Sequence, residues 1–263
     1  MSDGREAQLA WEERWARPAA AAALAAVIAV IASIVVAQTK GSADGASQIL
    51  MDIDGNNAAV LISSALQAIG IALLALPLLY LFRAADFRSE TMRSQLVGVV
   101  IAGPLFLAVA FLLTGIVSVQ AAGDFVADEV PRLAAKGVEL GSDRANEVAD
   151  DTLADAGLRP LATGFGIGGQ IGFIVAMFYT ALHAMRTGLL SRFWGSLGMA
   201  LGAVSFLFFQ FALLWFVYLG LLLAGWIPGG KPPAWESGEA EPWPTPGERA
   251  AQAMESDAEK SRD

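Results

Sequence analysis

Stretches without a single Asp, Glu, Lys or Arg recur five times along this chain, at 19–37, 58–82, 95–122, 161–184 and 194–226. About 20 residues of helix cross the ~30 Å hydrocarbon core of a bilayer. Backbone in lipid must satisfy its own hydrogen bonds, so each run reads as a helix. The ~10-residue alternating segments of a membrane barrel are absent. The pattern predicts an all-α fold, a polytopic transmembrane helix bundle of five spans. A polar segment, 1–17, precedes the bundle at 18–226. An outer loop spans 123–160, and the acidic tail 227–263 is expected to be largely disordered.

Details within the runs refine this plan. The first run, at 19 residues, exceeds the usual ~7–15-residue core of a signal peptide and follows acidic residues, which favours a retained helix. Pro77 lies near the end of the second run, and Pro104 inside the third predicts a kink. The fifth run, 33 residues, would make a helix of about 50 Å, longer than the ~40–45 Å of a whole bilayer. It must tilt, project or break. With no Gly or Pro turn near its middle, it reads as one span. Trp11 and Trp15, four apart, share a helical face and suit a short helix at the membrane surface. Trp194 and Trp226 bracket the fifth run, as anchors at two interfaces would. In the outer loop, Phe125, Val126, Val130 and Leu133 predict amphipathic helices broken near Gly141.

Charge orients the bundle. With the amino terminus inside, the inner segments 1–17, 83–94 and 185–193 carry eight Lys and Arg in 38 residues, against five in the 58 residues of the outer loops. The positive-inside rule therefore predicts a cytoplasmic amino terminus, and the excess of Arg (13) over Lys (4) with abundant Ala and Gly suggests a bacterial plasma membrane. A five-span count places the tail outside. The net charge of −9 argues against a nucleic-acid partner, which would require clustered Lys and Arg. The chain has no cysteine, which excludes disulfides and thiolate chemistry.

Small residues mark candidate packing faces, because they let helix backbones approach closely in lipid. They are Ser64, Ala68 and Ala72; Gly98 and Ala102; Gly164, Gly168 and Gly172; and Gly198 and Gly202. Five pairs of these positions share one offset, as do Phe106 and Phe206. That register predicts one helix followed by two parallel repeated hairpins, the second helix meeting the fourth and the third the fifth.

Little else carries chemistry. Gly164-Phe165-Gly166-Ile167-Gly168-Gly169 fits a dinucleotide fingerprint, but within an uncharged helical run and with no preceding strand, so no cofactor is expected. Residues 52–56 read as a turn before a helix, since they lack the acid spacing and closing Glu of a calcium loop. His183 is the single histidine and cannot build a multi-histidine metal site. The outer-loop acids Asp124, Asp128, Glu129, Asp150, Asp151 and Asp155 read as a solvated face rather than a metal site. No nucleophile–base–acid set is visible. No Asp, Glu, Lys or Arg lies inside a span, which counts against proton-coupled transport. Gln67 and Gln170 should sit at similar depth and form a buried polar contact.

Trp-Glu-x-x-Trp-x-Arg-Pro (11–18) precedes an Ala-rich first span, Gly-Leu-Leu-Ser-Arg-Phe-Trp (188–194) precedes the last, and Pro-Pro-Ala-Trp-Glu (232–236) lies in the tail. With these features the layout resembles the uncharacterised multi-pass integral membrane proteins of actinobacteria. That resemblance implies a location and no activity. The expected role is structural or interaction-based and non-enzymatic, with the lipid bilayer, other membrane proteins or a second copy as partners. The alternative is a small-solute transporter or channel component with a polar path near Gln67 and Gln170.

Overall fold

The computed structural model describes residues 2–38 and 45–243. Every regular element among them is helical. The first is α1 (Ser2–Gln38), followed by α2 (Ala46–Gly55), α3 (Asn57–Leu73), α4 (Ala75–Arg88) and α5 (Val97–Asp124). The chain continues through a π-helical turn at Phe125–Glu129 into α6 (Val130–Ala135) and α7 (Asp143–Asp155). Then come α8 (Arg159–Arg186), α9 (Arg192–Val204), α10 (Phe209–Ala224) and a single turn, α11 (Ala234–Ser237). Four helical segments are long and apolar enough to cross a membrane: Gly4–Ala37, Asn57–Arg88, Ser94–Ala135 and Arg159–Arg186. This architecture fits an integral membrane protein.

The second crossing breaks at Leu74, between α3 and α4. Pro77 has no amide to offer the Leu73 carbonyl, and its ring crowds that carbonyl, so the helix restarts at a bend. The bend sends α3 between α1 and α5 in one half of the bundle. In the other half it brings α4 against α1, α5 and α8. There α4 buries Leu78, Leu81, Phe82, Ala84 and Ala85, on almost all sides.

The run 194–226 departs from the single span expected of it. The helix stops at Val204, and Phe208 leaves helical geometry (φ −140°, ψ 76°). The chain then reverses. The Trp194 ring stacks on Tyr218 with centroids 3.5 Å apart, Trp215 Nε1 donates to the Trp194 carbonyl at 3.0 Å, and Gly198 lies against the Trp215 ring. Residues near the start of α9 thus face the later part of α10, in an antiparallel hairpin. Its arms of 13 and 16 residues measure about 20 and 24 Å. No glycine or proline makes the turn. Ser205 Oγ donates to the Gly202 carbonyl at 2.6 Å, and the Leu207 and Phe208 amides bond to the Val204 carbonyl. These bonds satisfy backbone groups that a lipid environment cannot.

The hairpin puts both its ends, and the tail beyond them, beside the amino-terminal segment. Segment 1–17 is therefore no separate surface helix: from Ser2 onward it continues α1 through Pro18. The tail expected to be disordered is folded onto this end as far as residue 243, while 244–263 lie outside the described residues. Five arginines, at 83, 88, 93, 186 and 192, mark this as the arginine end.

The opposite end carries a second small core. Leu50 of α2, Ala121 and Ala122 of α5, Phe125, Leu133 and α7 residues Ala145 and Ala149 are buried together. Ser47 accepts from the Gly141 amide, and its own amide and hydroxyl donate to Asn146 Oδ1. The outer loop is thus a folded cap, with helices on both sides of Gly141.

Candidate functional site

Three places in the bundle concentrate polar chemistry. The arginine end holds the most closely connected. Arg88, the last residue of α4, is buried, and its guanidinium grips Glu12 of α1 through Nη1–Oε1 at 2.5 Å and Nη2–Oε2 at 2.9 Å. Both side chains are almost wholly shielded, at 0% and 5% exposure. The remaining Arg88 donors reach the Ala84 carbonyl at 2.8 Å and the Ala234 carbonyl at 3.0 Å. A forked guanidinium suits such a site, since it satisfies a carboxylate and two carbonyls at once.

Aromatic rings close over this pair. Trp11, Tyr80 and Trp235 stack in series with centroids 5.4 and 5.8 Å apart. Tyr80 Oη donates to the Glu12 carbonyl, and Trp235 Nε1 donates to the Leu189 carbonyl. Arg88 and Lys231 both lie over the Trp235 ring. Burial pushes the Lys231 amine below the usual lysine range, with the Glu12 carboxylate pulling the other way. Farther along, the Glu241 amide bonds to the Thr187 carbonyl, and Arg192 donates to the Trp243 carbonyl. Gly188 permits this closure. Its φ is +80°, and a Cβ there would collide with the Glu241 carbonyl oxygen. The tail is thus a strap latched by Trp235 into the membrane-facing bundle.

The second place is at mid-depth. Gln170 of α8 donates through Nε2 to Ser205 Oγ, at the hairpin turn, over 3.1 Å. Gln67 is not its partner. It lies on α3, between α1 and α5, while Gln170 lies beyond α5 on α8. The third is at the capped end, where Asp124, Asp128, Glu129, Asp151 and Asp155 line a cavity of about 450 Å³ with no basic residue among its walls. Five of the six outer-loop acids singled out in the sequence are brought together there, while Asp150 is not.

The small residues divide sharply. Ser64 lies against Gly115 of α5, and Ala68 is buried. Ala72 and Ala102 are half-buried. Gly172 meets Gly103 backbone to backbone, Gly198 meets Trp215 and Ala181, and Gly202 meets Met177. Gly98, Gly164 and Gly168 meet nothing within 4 Å of a built Cβ. The closest approach of α8 to α5 runs instead through Gly169, whose Cβ would collide with the Leu107 amide nitrogen. Sequence reasoning missed Gly103, Gly115 and Gly169. Of the repeat pairing only a part is seen, where α4 packs on α8. Helix α5 sits between α3 and α8, α9 packs on α8, and α10 packs on α1.

The tryptophans also take other places. Trp11 is half-buried in the ring stack, and Trp15 is exposed on α1. Trp194 and Trp226 occupy the two ends of the hairpin, so both lie at the arginine end rather than at opposite interfaces. His183 packs on Tyr179 and faces the Ser89 hydroxyl at 3.5 Å. The chain matches no protein-family model, no curated protein and no solved structure. These three places are therefore where its function is legible.

Proposed function

We propose that this chain is an integral membrane protein with a structural or interaction role and no catalytic one, its amino terminus in the cytoplasm of a bacterial cell. The carrying observation is a filled centre. Leu74, Leu78, Phe82, Phe173, Met177 and Trp215 are fully buried within one continuous apolar cluster. A solute path would need polar groups and space at that depth. The arginine density at one end supports the orientation. The capped acidic end is the surface that meets partners, either other membrane proteins or a second copy.

The test joins two measurements on the full chain. Reconstituted vesicles should release small solutes no faster than protein-free vesicles. Photo-crosslinkers at Asp150 and Leu140, both exposed on the cap, should give discrete adducts in cells, and diffuse labelling would count against a partner surface. One observation favours a transport reading: the Gln170–Ser205 contact stands where a hairpin folds back inside the bundle, as broken helices do around transporter sites. Solute release above background, lowered by Gln170→Leu, would establish that reading instead.

A further inference from the structure

At the arginine end an open groove runs between α1 and α4. Trp11, Trp15 and Pro18 form one wall; Leu76, Leu79 and Arg83 form the other. It encloses about 230 Å³, and its lining is almost entirely carbon. The first apolar run begins at Ala19 and the second ends at Phe82, so the groove straddles the edge of the hydrocarbon layer. Grooves at that depth face lipid, which fills them with acyl chain.

The charge at its mouth narrows the choice of lipid. Arg83 is exposed, with Cζ 5.8 Å from the Trp11 ring centroid. It makes no ion pair among the described residues. Arg14 and Arg17 are exposed nearby on α1. The neighbouring acids turn elsewhere: Glu12 grips Arg88, and Glu13 lines a separate cavity with Lys231. An uncompensated cation at headgroup depth above an apolar slot matches the two halves of a phospholipid. A guanidinium also presents its donors in the geometry a phosphate accepts.

We propose that this groove binds one anionic phospholipid from the leaflet at the arginine end. An acyl chain lies between α1 and α4, and the headgroup phosphate sits on Arg83. The inference rests on the membrane reading above and names a ligand that reading does not.

Alkaline carbonate extraction of membranes tests the shared premise first. Release into the supernatant overturns both readings, and retention leaves the lipid site to be judged alone. Native mass spectrometry of the detergent-purified full chain, with phosphatidylglycerol or phosphatidylcholine added, then reads the site. One phosphatidylglycerol should stay bound to the wild type, at least about tenfold more weakly to Arg83→Gln, and nearly normally to Arg83→Lys. Arg93→Gln, at the same end outside the groove, should bind like the wild type. Phosphatidylglycerol should also raise the melting temperature of the wild type and not that of Arg83→Gln, which separates lost binding from lost folding. Equal retention of phosphatidylcholine, or of phosphatidylglycerol by Arg83→Gln, overturns the proposal. So does a lipid-free dimer abolished by Arg83→Gln, because a second copy would then fill the groove.

Discussion

Glu12 and Arg88 lie 76 positions apart, both outside the apolar runs, and in the sequence each looks like an ordinary surface charge. Their burial follows from two events no local pattern displays: α1 continues past the membrane edge, and the tail folds back to cover the pair. Removing one partner leaves an unpaired charge in an enclosed site, which typically costs about 3–5 kcal/mol. Glu12→Ala should therefore lower the melting temperature of the detergent-purified protein severely. The double variant Glu12→Leu/Arg88→Met should lose less than Glu12→Ala alone, because no isolated charge remains. Equal losses in the two would show that the pair is not coupled. The glycine stripe of α8 shows the opposite limit. Its spacing was plain in the sequence, and the abundance of small residues did mark a close-packed helix. Spacing alone does not say which face meets a neighbour, and the contact lies on Gly169 and Gly172 rather than on Gly164 and Gly168.

Among the elements, the α5–α8 contact and the hairpin carry most of the architecture. Gly103 and Gly172 touch through their backbones, so a methyl on either must push two helices apart, and overpacking of this kind costs about 1–3 kcal/mol. Gly103→Ala and Gly169→Ala should destabilise the protein in thermal melts. Gly98→Ala and Gly168→Ala, which face open space, should be neutral or slightly stabilising, since alanine is the better helix former by about 1 kcal/mol. The reverse ranking would place the contact on the stripe the sequence suggested. The hairpin was only half legible. A run of 33 residues was visibly too long for a simple crossing, yet a turn made by a serine hydroxyl and three phenylalanine and leucine residues carries none of the usual breaking signals. The aromatic lock between Trp194, Trp215 and Tyr218 makes the reversal, and it becomes visible only once the two arms lie side by side.

For the molecule as a whole, the apolar runs foretold a helical bundle and four helical segments long and apolar enough to cross a membrane, because length and hydropathy alone decide those. They did not foretell the side of the tail, which depends on the fate of the fifth run. Folding that run back puts both termini of the described chain at one end. The absence of cysteine makes this directly measurable. Single cysteines at Ser2 and Ser237 should be labelled by an impermeant thiol reagent only from the same side of sealed vesicles, and one at Asp150 only from the other. Labelling of Ser2→Cys and Ser237→Cys from opposite sides would restore a fifth crossing.

The half-depth turn also governs how much room the protein takes in each leaflet. Its tip meets α8 at Gln170, just beyond the middle of that helix. The leaflet at the arginine end therefore accommodates α1, α4, α5, α8 and both hairpin arms, while the other accommodates α1, α3, α5 and α8. Across the apolar layer the bundle is thus wedge-shaped, with six helical segments at the arginine end against four at the other, and the cap lies beyond the narrower end. A wedge inserted in a flat bilayer expands one monolayer relative to its mate, and that mismatch relaxes where the sheet bulges toward the broad side. In reconstituted vesicles the full chain should therefore be denser where the membrane bulges toward the arginine end, and equal density on both curvatures would show that the turn has no such effect.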